Sequence, residues 1–188
     1  MKHYFTLPIN THTALVYPTL AMAKEIFDLI DSDREKLGQF LDFVPVTKEI
    51  KDEEAFLKMK LTGVANGTDL LYLISYQGKL VGTIDLHFVD HKNKKAEIGY
   101  WIHSSVAGKG LTSLAVQTIC QIGFEDLGLN KLIIRADTEN IGSNKVAQKC
   151  VFSLVGTDRS DLFMYDEFRD LNQYALLKAE FVQQKNKA

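Results

Sequence analysis

Cysteine is scarce in this chain: only Cys120 and Cys150 occur, both among apolar neighbours. Two thiols so placed exclude a disulfide framework and a cysteine-based zinc site, and they suit a reducing cytosol. An excess of one charge is missing too. With a net formal charge of −2 the chain carries no bulk electrostatic footprint for nucleic acid, so no direct nucleic-acid partner is expected. No apolar run approaches membrane-spanning length, and the N-terminus shows no basic segment followed by an apolar stretch. Neither a membrane partner nor a signal peptide is expected, and the localisation that follows is cytoplasmic. The five histidines are scattered without metal-ligand spacing, so no metal is expected. What remains is an ordinary globular composition over 188 residues, enough for one domain, 1–188, with a core of its own.

The patterning changes along the chain. Phe5 to Asn10 and Ala14 to Tyr17 read as a short strand or hairpin, which Pro8 and Pro18 restrict to edge character. Leu20, Ala23, Ile26, Phe27 and Ile30, then Leu37, Phe40 and Leu41, have helical spacing, broken near Asp31-Ser32-Asp33, where Asp31 or Ser32 would cap a second helix. Pro45 closes that unit. Thr47 is the expected N-cap of a further helix, stopped by Gly63 or by Asn66-Gly67. Leu70 to Tyr76 and Leu80 to Val89 then flank Gln77-Gly78-Lys79 as a hairpin, and Ala96 to His103 reads as a third antiparallel strand after a polar turn. A buried helix is expected over Leu111 to Leu127, ended by Gly128, and a buried parallel strand over Lys131 to Ala136, apolar apart from Arg135. A short helix over Ser143 to Val151 follows, then a hairpin of two long runs, Phe152 to Tyr165 and Phe168 to Phe181, with a polar tail at Gln183 to Ala188 expected to fray. This is an α+β plan with a mixed, mostly antiparallel sheet flanked by helices.

The stretch with chemical character is Glu97 to Thr112. A β-rich run ends in a small-residue turn, Gly108-Lys109-Gly110, and a helical pattern opens straight after it. Helix starts of this kind bind anions, because their first N–H groups lack intrahelical partners and the helix dipole adds positive charge. A nucleotide P-loop is excluded: His103 stands where its first glycine is needed, and Gly110 rather than Ser or Thr follows Lys109. A dinucleotide fingerprint matches two of its three glycines, with Gly108, Gly110 and Ser113 in register and Asp137 as the acid after the next strand. That fold, however, begins with this unit, whereas here an antiparallel meander precedes it. An NAD-linked oxidoreductase is therefore the runner-up.

Three blocks together resemble the GNAT N-acetyltransferase superfamily, and more specifically its RimJ/RimL ribosomal-protein acetyltransferase branch. They are Ala96-Glu97-Ile98-Gly99-Tyr100-Trp101-Ile102, Gly108-Lys109-Gly110, and Asn140-x-x-Ser143-Asn144. The resemblance covers nearly the whole chain and implies the GNAT fold. Ala107 stands where the superfamily has Gln or Arg, Thr112 where it has Gly or Ala, and Val151 where a Lys-x-Gly-Phe block has its glycine.

The resemblance implies acetyl-CoA as cosubstrate and direct attack of an amine on its thioester in a ternary complex. Its pyrophosphate would lie on the backbone N–H groups of Gly108, Lys109, Gly110, Leu111 and Thr112. The N–H groups of Tyr100, Trp101 and Ile102 would face the thioester carbonyl, with Tyr100 and Trp101 equally suited to packing. Ser143, with Asn140 beside it, would serve the departing thiolate, although Asn140 or Ser143 also suits a helix cap. The resemblance implies a catalytic carboxylate from the last hairpin, here Asp161 or none, with Glu97, which could reach the amine through water, His103 and His87 as other candidates for the base. Cys120 and Cys150 lack an activating neighbour, so no acetyl-cysteine route is expected. The acceptor segments would be Asp33 to Phe43 and Asp158 to Asp170. Their acids (Asp33, Glu35, Asp42, Asp158, Asp161, Asp166, Glu167 and Asp170) suit a cationic amine or serve solubility. A protein N-terminus, most of all that of a ribosomal protein, or a small-molecule amine would be the acceptor partner. A homodimer is compatible with the plan, and an inactive CoA-binding module on the same fold is the remaining alternative.

Overall fold

The computed structural model describes residues 5–186; residues 1–4, on which the expectation about a signal peptide partly rests, and residues 187–188 of the polar tail lie outside it. Among the described residues eight strands form one sheet: β1 (Thr6–Pro8), β2 (Thr13–Val16), β3 (Leu70–Tyr76), β4 (Lys79–Asp90), β5 (Lys95–Ile102), β6 (Lys131–Asp137), β7 (Ser153–Met164) and β8 (Glu167–Leu177). Their order is β1-β2-β3-β4-β5-β6-β8-β7, with β5 and β6 parallel. Six α-helices accompany them: α1 (Ala23–Asp31), α2 (Arg34–Leu37), α3 (Ile50–Asn66), α4 (Leu111–Gln121), α5 (Ile141–Lys149) and α6 (Lys178–Lys185). The α+β plan with a mixed, mostly antiparallel sheet and flanking helices is therefore what forms. Among the described residues no helix is long and apolar enough to cross a membrane.

Two compact units divide the chain. The first runs to Asp85 and takes in Tyr100–Ala115; the second comprises Leu86–Gly99 and resumes at Val116.

In the first unit, Asn10 closes the β1–β2 hairpin by accepting the N–H groups of His12 and Thr13, each at 2.9 Å. The i, i+3, i+4 pattern that announced α1 buries Ala23, Ile26 and Ile30. They join Val16, Met22, Leu57, Leu71, Leu73 and Trp101 in one apolar cluster, each large side chain stabilising by roughly 1.5–3 kcal/mol relative to exposure. The second helix starts later than expected, because Asp33 rather than Asp31 or Ser32 is its N-cap. The N-cap of α3 is likewise Glu49, not Thr47. The Thr47 hydroxyl instead donates to the Phe43 carbonyl at 3.0 Å, and the Glu49 N–H donates to Asp52 at 2.9 Å. Of the two stops expected, Gly67 acts, at φ +74°. Gly63 continues the helix, and a side chain there would collide with Asp69. That carboxylate and Asp85 both receive the Lys60 ammonium, at 2.7 and 2.6 Å. Burial works against the Lys60 charge, but Asp85 and Asp69 outweigh it and hold its pKa above the ordinary lysine value.

In the second unit, β6 buries Leu132, Ile133, Ile134 and Ala136, pairs in parallel with β5 from Lys95 to Glu97, and runs antiparallel along β8 over its whole length. The run after α4 loosens into a π turn at Ile122–Asp126, where Gly123 lies against Leu132, so the expected helix to Leu127 keeps its extent but not its regularity. The run Phe168 to Phe181 is not one strand. It breaks at Leu177, whose N–H donates to Glu180 at 2.9 Å and opens α6. The Phe181 ring then packs on Phe124 at 5.1 Å. Residues of the tail as far as Lys185 are helical rather than frayed.

Candidate functional site

The residues singled out in the sequence fall into three groups. In the first unit, β5 ends at Ile102, and a single 3-10 turn, Ser104–Val106, leads to the turn before α4. Gly108 and Gly110 both take left-handed backbone, at φ +78° and +77°, a region side chains other than glycine enter at a cost. Space around Gly108 is open where a Cβ would stand. Glycines here let the backbone approach a ligand closely, while the amides of the first helical turn point out of the helix end. Lys109 lies with its Nζ 5.1 Å from the centre of the Tyr76 ring, within cation–π range. Leu111 is buried, so only its backbone is available to a ligand, and Thr112 is half-buried.

The strand before the turn alternates as a strand must. The Trp101 side chain belongs to the apolar cluster, whereas Tyr100 and Ile102 are half-buried. Gly82 of β4 is pressed against the Trp101 carbonyl, where any side chain would collide. The sequence reading passed over Gly82; a glycine inside an apolar strand is itself the signal of such a close approach.

In the second unit, Asn140 is the N-cap of α5. Its side-chain oxygen accepts the Ser143 N–H at 3.0 Å. The helix therefore begins at Ile141, two residues before the expected Ser143, and ends at Lys149. Of the two capping readings, Asn140 fills the role and Ser143 supplies the capped amide. Asn144 is buried, and its amide donates to the carbonyls of Asp137 and Asn140, both at 2.8 Å. Its oxygen accepts from Asn172 and from the Tyr174 hydroxyl, also at 2.8 Å. A carboxamide has two donors and two acceptor sites, so this one is fully used. It ties α5 to β6 and β8, and its presence in the Asn-x-x-Ser-Asn block was the signal.

The third group is a charged row on the second unit. His87 of β4 lies 3.7 Å from Glu97 of β5; Arg135 of β6 pairs with Asp161, and at 3.4 Å with Asp158, on β7. The close approach of His87 lowers the Glu97 pKa most, against burial, and the charges of His87, Arg135 and Lys95 add to it. Glu97 is thus held as a carboxylate. Of the two carboxylates expected to be catalytic, Asp161 is paired with Arg135, the residue that interrupts the apolar run of β6, while Glu97 lies beside His87. The register of β7 against β8 shifts between Asp158 and Leu162, and Ser160, at φ +53°, donates its N–H to Asp170 at 2.8 Å.

The acids expected at an acceptor mouth divide. Glu35, Asp42, Asp166 and Glu167 are exposed. Asp33 is buried and accepts the Ser104 N–H and hydroxyl at 2.6 and 2.7 Å, so both of its carboxylate oxygens are engaged within the protein. Cys120 and Cys150 are both buried and not bridged, and burial pushes the Cys120 thiol pKa up. Neither is placed to be a nucleophile.

Residues 13–153 match the family model described as acetyltransferase (GNAT) domain. A putative ribosomal N-acetyltransferase, YdaF, of Bacillus subtilis (strain 168) is 32% identical over 184 residues, covering 94% of this chain and 97% of that protein. The ribosomal-protein-serine acetyltransferase of Escherichia coli (strain K12) is 28% identical over 152 residues, 81% of this chain and 85% of the other. Among solved structures, the microcin C7 self-immunity acetyltransferase MccE in complex with acetyl-CoA and AMP superposes with a TM-score of 0.86. It is 27% identical, over 90% of this chain and 94% of its own.

Proposed function

We propose that this chain, which belongs to the acetyltransferase (GNAT) domain family and is an acetyl-CoA-dependent N-acetyltransferase of the RimJ/RimL branch, acetylates the N-terminal amine of a protein, a ribosomal protein foremost. The observation that carries the donor half is the Gly108-Lys109-Gly110 turn, with two left-handed glycines opening directly into α4. The acceptor half is supported by a relative aligned over nearly its full length and named as a ribosomal N-acetyltransferase.

Acetyl-CoA supplies a thioester already reactive toward amines, and a pyrophosphate by which it can be held. The residues divide the remaining work. The amides of Gly108 to Thr112 receive the pyrophosphate oxygens, and Lys109 adds a positive charge that exchanges the Tyr76 ring for the anion. Backbone N–H groups of Tyr100 to Ile102 stabilise the negative charge that grows on the thioester oxygen. Ser143 hydrogen-bonds the departing sulfur, on a helix start fixed by Asn140 and Asn144. Glu97, ionised at neutral pH, accepts the proton of the attacking amine through water. Asp161 is engaged in an ion pair with Arg135, so this reading gives the role of base to Glu97. The exposed acids Asp166 and Glu167 favour a cationic acceptor.

Thermal melting with acetyl-CoA and with NAD, followed by mass spectrometry of an amine panel, tests this reading. Stabilisation by acetyl-CoA with acetyl on peptide N-termini supports it. Stabilisation by NAD alone would replace it with a dehydrogenase, and acetyl-CoA binding without any transfer would leave a CoA-binding module.

A further inference from the structure

The two glycines of the phosphate turn have no side chains with which to hold its shape, and Gly108 and Lys109 are exposed. Glycine also loses the most freedom on ordering. The turn must be set by its flanks. On one side it runs into α4. On the other side, the turn Ser104–Val106 is gripped by two side chains, one of which comes from 71 residues away.

Asp33, at the junction of α1 and α2, accepts both the N–H and the hydroxyl of Ser104. His103 grips the next residue: its Nδ1 accepts the Ser105 N–H at 3.1 Å and lies 2.8 Å from the Ser105 hydroxyl. A ring nitrogen that accepts from a backbone amide carries no proton of its own. The ring is then the neutral tautomer with its proton on Nε2, which faces the Ser32 hydroxyl at 3.2 Å. That hydroxyl donates onward to the Leu29 carbonyl at 3.0 Å. Every donor in the chain from Ser105 through His103 and Ser32 to Leu29 finds an acceptor. Both ring nitrogens of His103 face partners, and both carboxylate oxygens of Asp33 are engaged by Ser104. Both residues were candidates for other work on sequence grounds.

We propose that Asp33 and His103 are positioning residues for the donor: they clasp Ser104 and Ser105 to the α1–α2 junction and so preset the Gly108-Lys109-Gly110 turn for pyrophosphate. The proposal rests on the reading of that turn as the acetyl-CoA grip. Preset geometry lowers the ordering cost of binding, and the loss of a cap of this kind is worth about tenfold in an equilibrium constant.

The test is calorimetric titration of the full chain with acetyl-CoA, with S-acetylpantetheine, which has no pyrophosphate, followed by ligand-observed NMR. His103→Leu should weaken acetyl-CoA about tenfold and leave S-acetylpantetheine unchanged. His103→Asn, whose carboxamide can still accept the Ser105 N–H, should restore most of the loss, and Asp33→Ala should behave as His103→Leu does. A wild-type affinity for acetyl-CoA in both His103→Leu and Asp33→Ala overturns the clasp while leaving the donor reading standing. Equal weakening of both ligands also overturns it, since that marks general loss of structure. No binding of acetyl-CoA to the unaltered chain overturns the donor reading, and the clasp with it.

Discussion

The Tyr174 hydroxyl donates to the Asn144 carboxamide oxygen at 2.8 Å, inside the second unit and with both residues buried. The same carboxamide holds Asp137, Asn140 and Asn172, so the start of α5 that presents Ser143 is located by a saturated polar centre. Tyr174→Phe removes one of the bonds while keeping the ring, and should cost about 1–2 kcal/mol in urea unfolding. Asn144→Leu strips all of them and should cost about 3 kcal/mol or more. Equal stability for Asn144→Leu and the unaltered chain would show that the centre does not hold α5.

Asn140 makes the cap by accepting the Ser143 N–H, so Asn140→Ala and Ser143→Ala probe different groups. Asn140→Ala should lower stability by about 1 kcal/mol. Ser143→Ala should leave the melting temperature within a degree or so yet lower kcat by about tenfold or more, as loss of a proton-relaying group does. A Ser143→Ala enzyme with full kcat would confine the residue to structure.

Val151 has φ +63°, in the left-handed region, at the end of α5. A β-branched residue is strained there, and the Lys-x-Gly-Phe block of the resembling family has glycine at this position. Val151→Gly should therefore raise stability, by about 1 kcal/mol, although glycine in most other places does the reverse. Thermal and urea unfolding of this one variant decide the matter; a loss of stability would mean that the exposed valine contributes more by contact than its backbone strain removes.

Glu53 of α3 is 3% exposed, and burial, with Asp52 beside it, pushes its pKa up to about 7. In the unfolded chain the same carboxyl titrates near 4.5. Between those values the folded state binds more protons than the unfolded one, so stability falls as pH rises from about 4.5 to about 7 and is level above. Glu53→Gln should accordingly stabilise the protein by about 1–3 kcal/mol at pH 8, with the gain vanishing below about pH 4.5. Urea unfolding at pH 8 and pH 4.5 reads the difference directly, and a gain equal at both pH values would assign it to packing instead of charge.

The strands and their order along the chain were legible because alternation and turn chemistry are local. Gly78, for example, takes positive φ in the β3–β4 hairpin, as the sequence implied, and Gln77 beside it does so too. Helix starts were less legible. Thr47 looks like a cap by residue type, but its hydroxyl is taken by Phe43, and the start moves to Glu49. The break at Leu177 was hidden by an apolar run that continues through it, while Glu180, three residues on, makes the cap. The Gly108-Lys109-Gly110 turn could be read from its glycines, both of which take positive φ. Asp33 could not be read, since its partner Ser104 is 71 residues distant and nothing in either neighbourhood announces the other. Arg135 gave a sign, as a lone charge in an apolar strand, but its partners Asp158 and Asp161 depend on a register shift in β7 that no local pattern encodes.

The central claim is acetyl transfer from acetyl-CoA to a protein N-terminus. Its most direct test is intact-mass and fragment mass spectrometry of ribosomal-protein N-terminal peptides incubated with the protein and acetyl-CoA, alongside the same peptides with blocked N-termini and a panel of small amines. One acetyl group on the α-amine, absent from the blocked peptides and strongly reduced with Glu97→Gln, is the predicted result. Acetyl appearing only on small amines, or on nothing while acetyl-CoA remains bound, would contradict it.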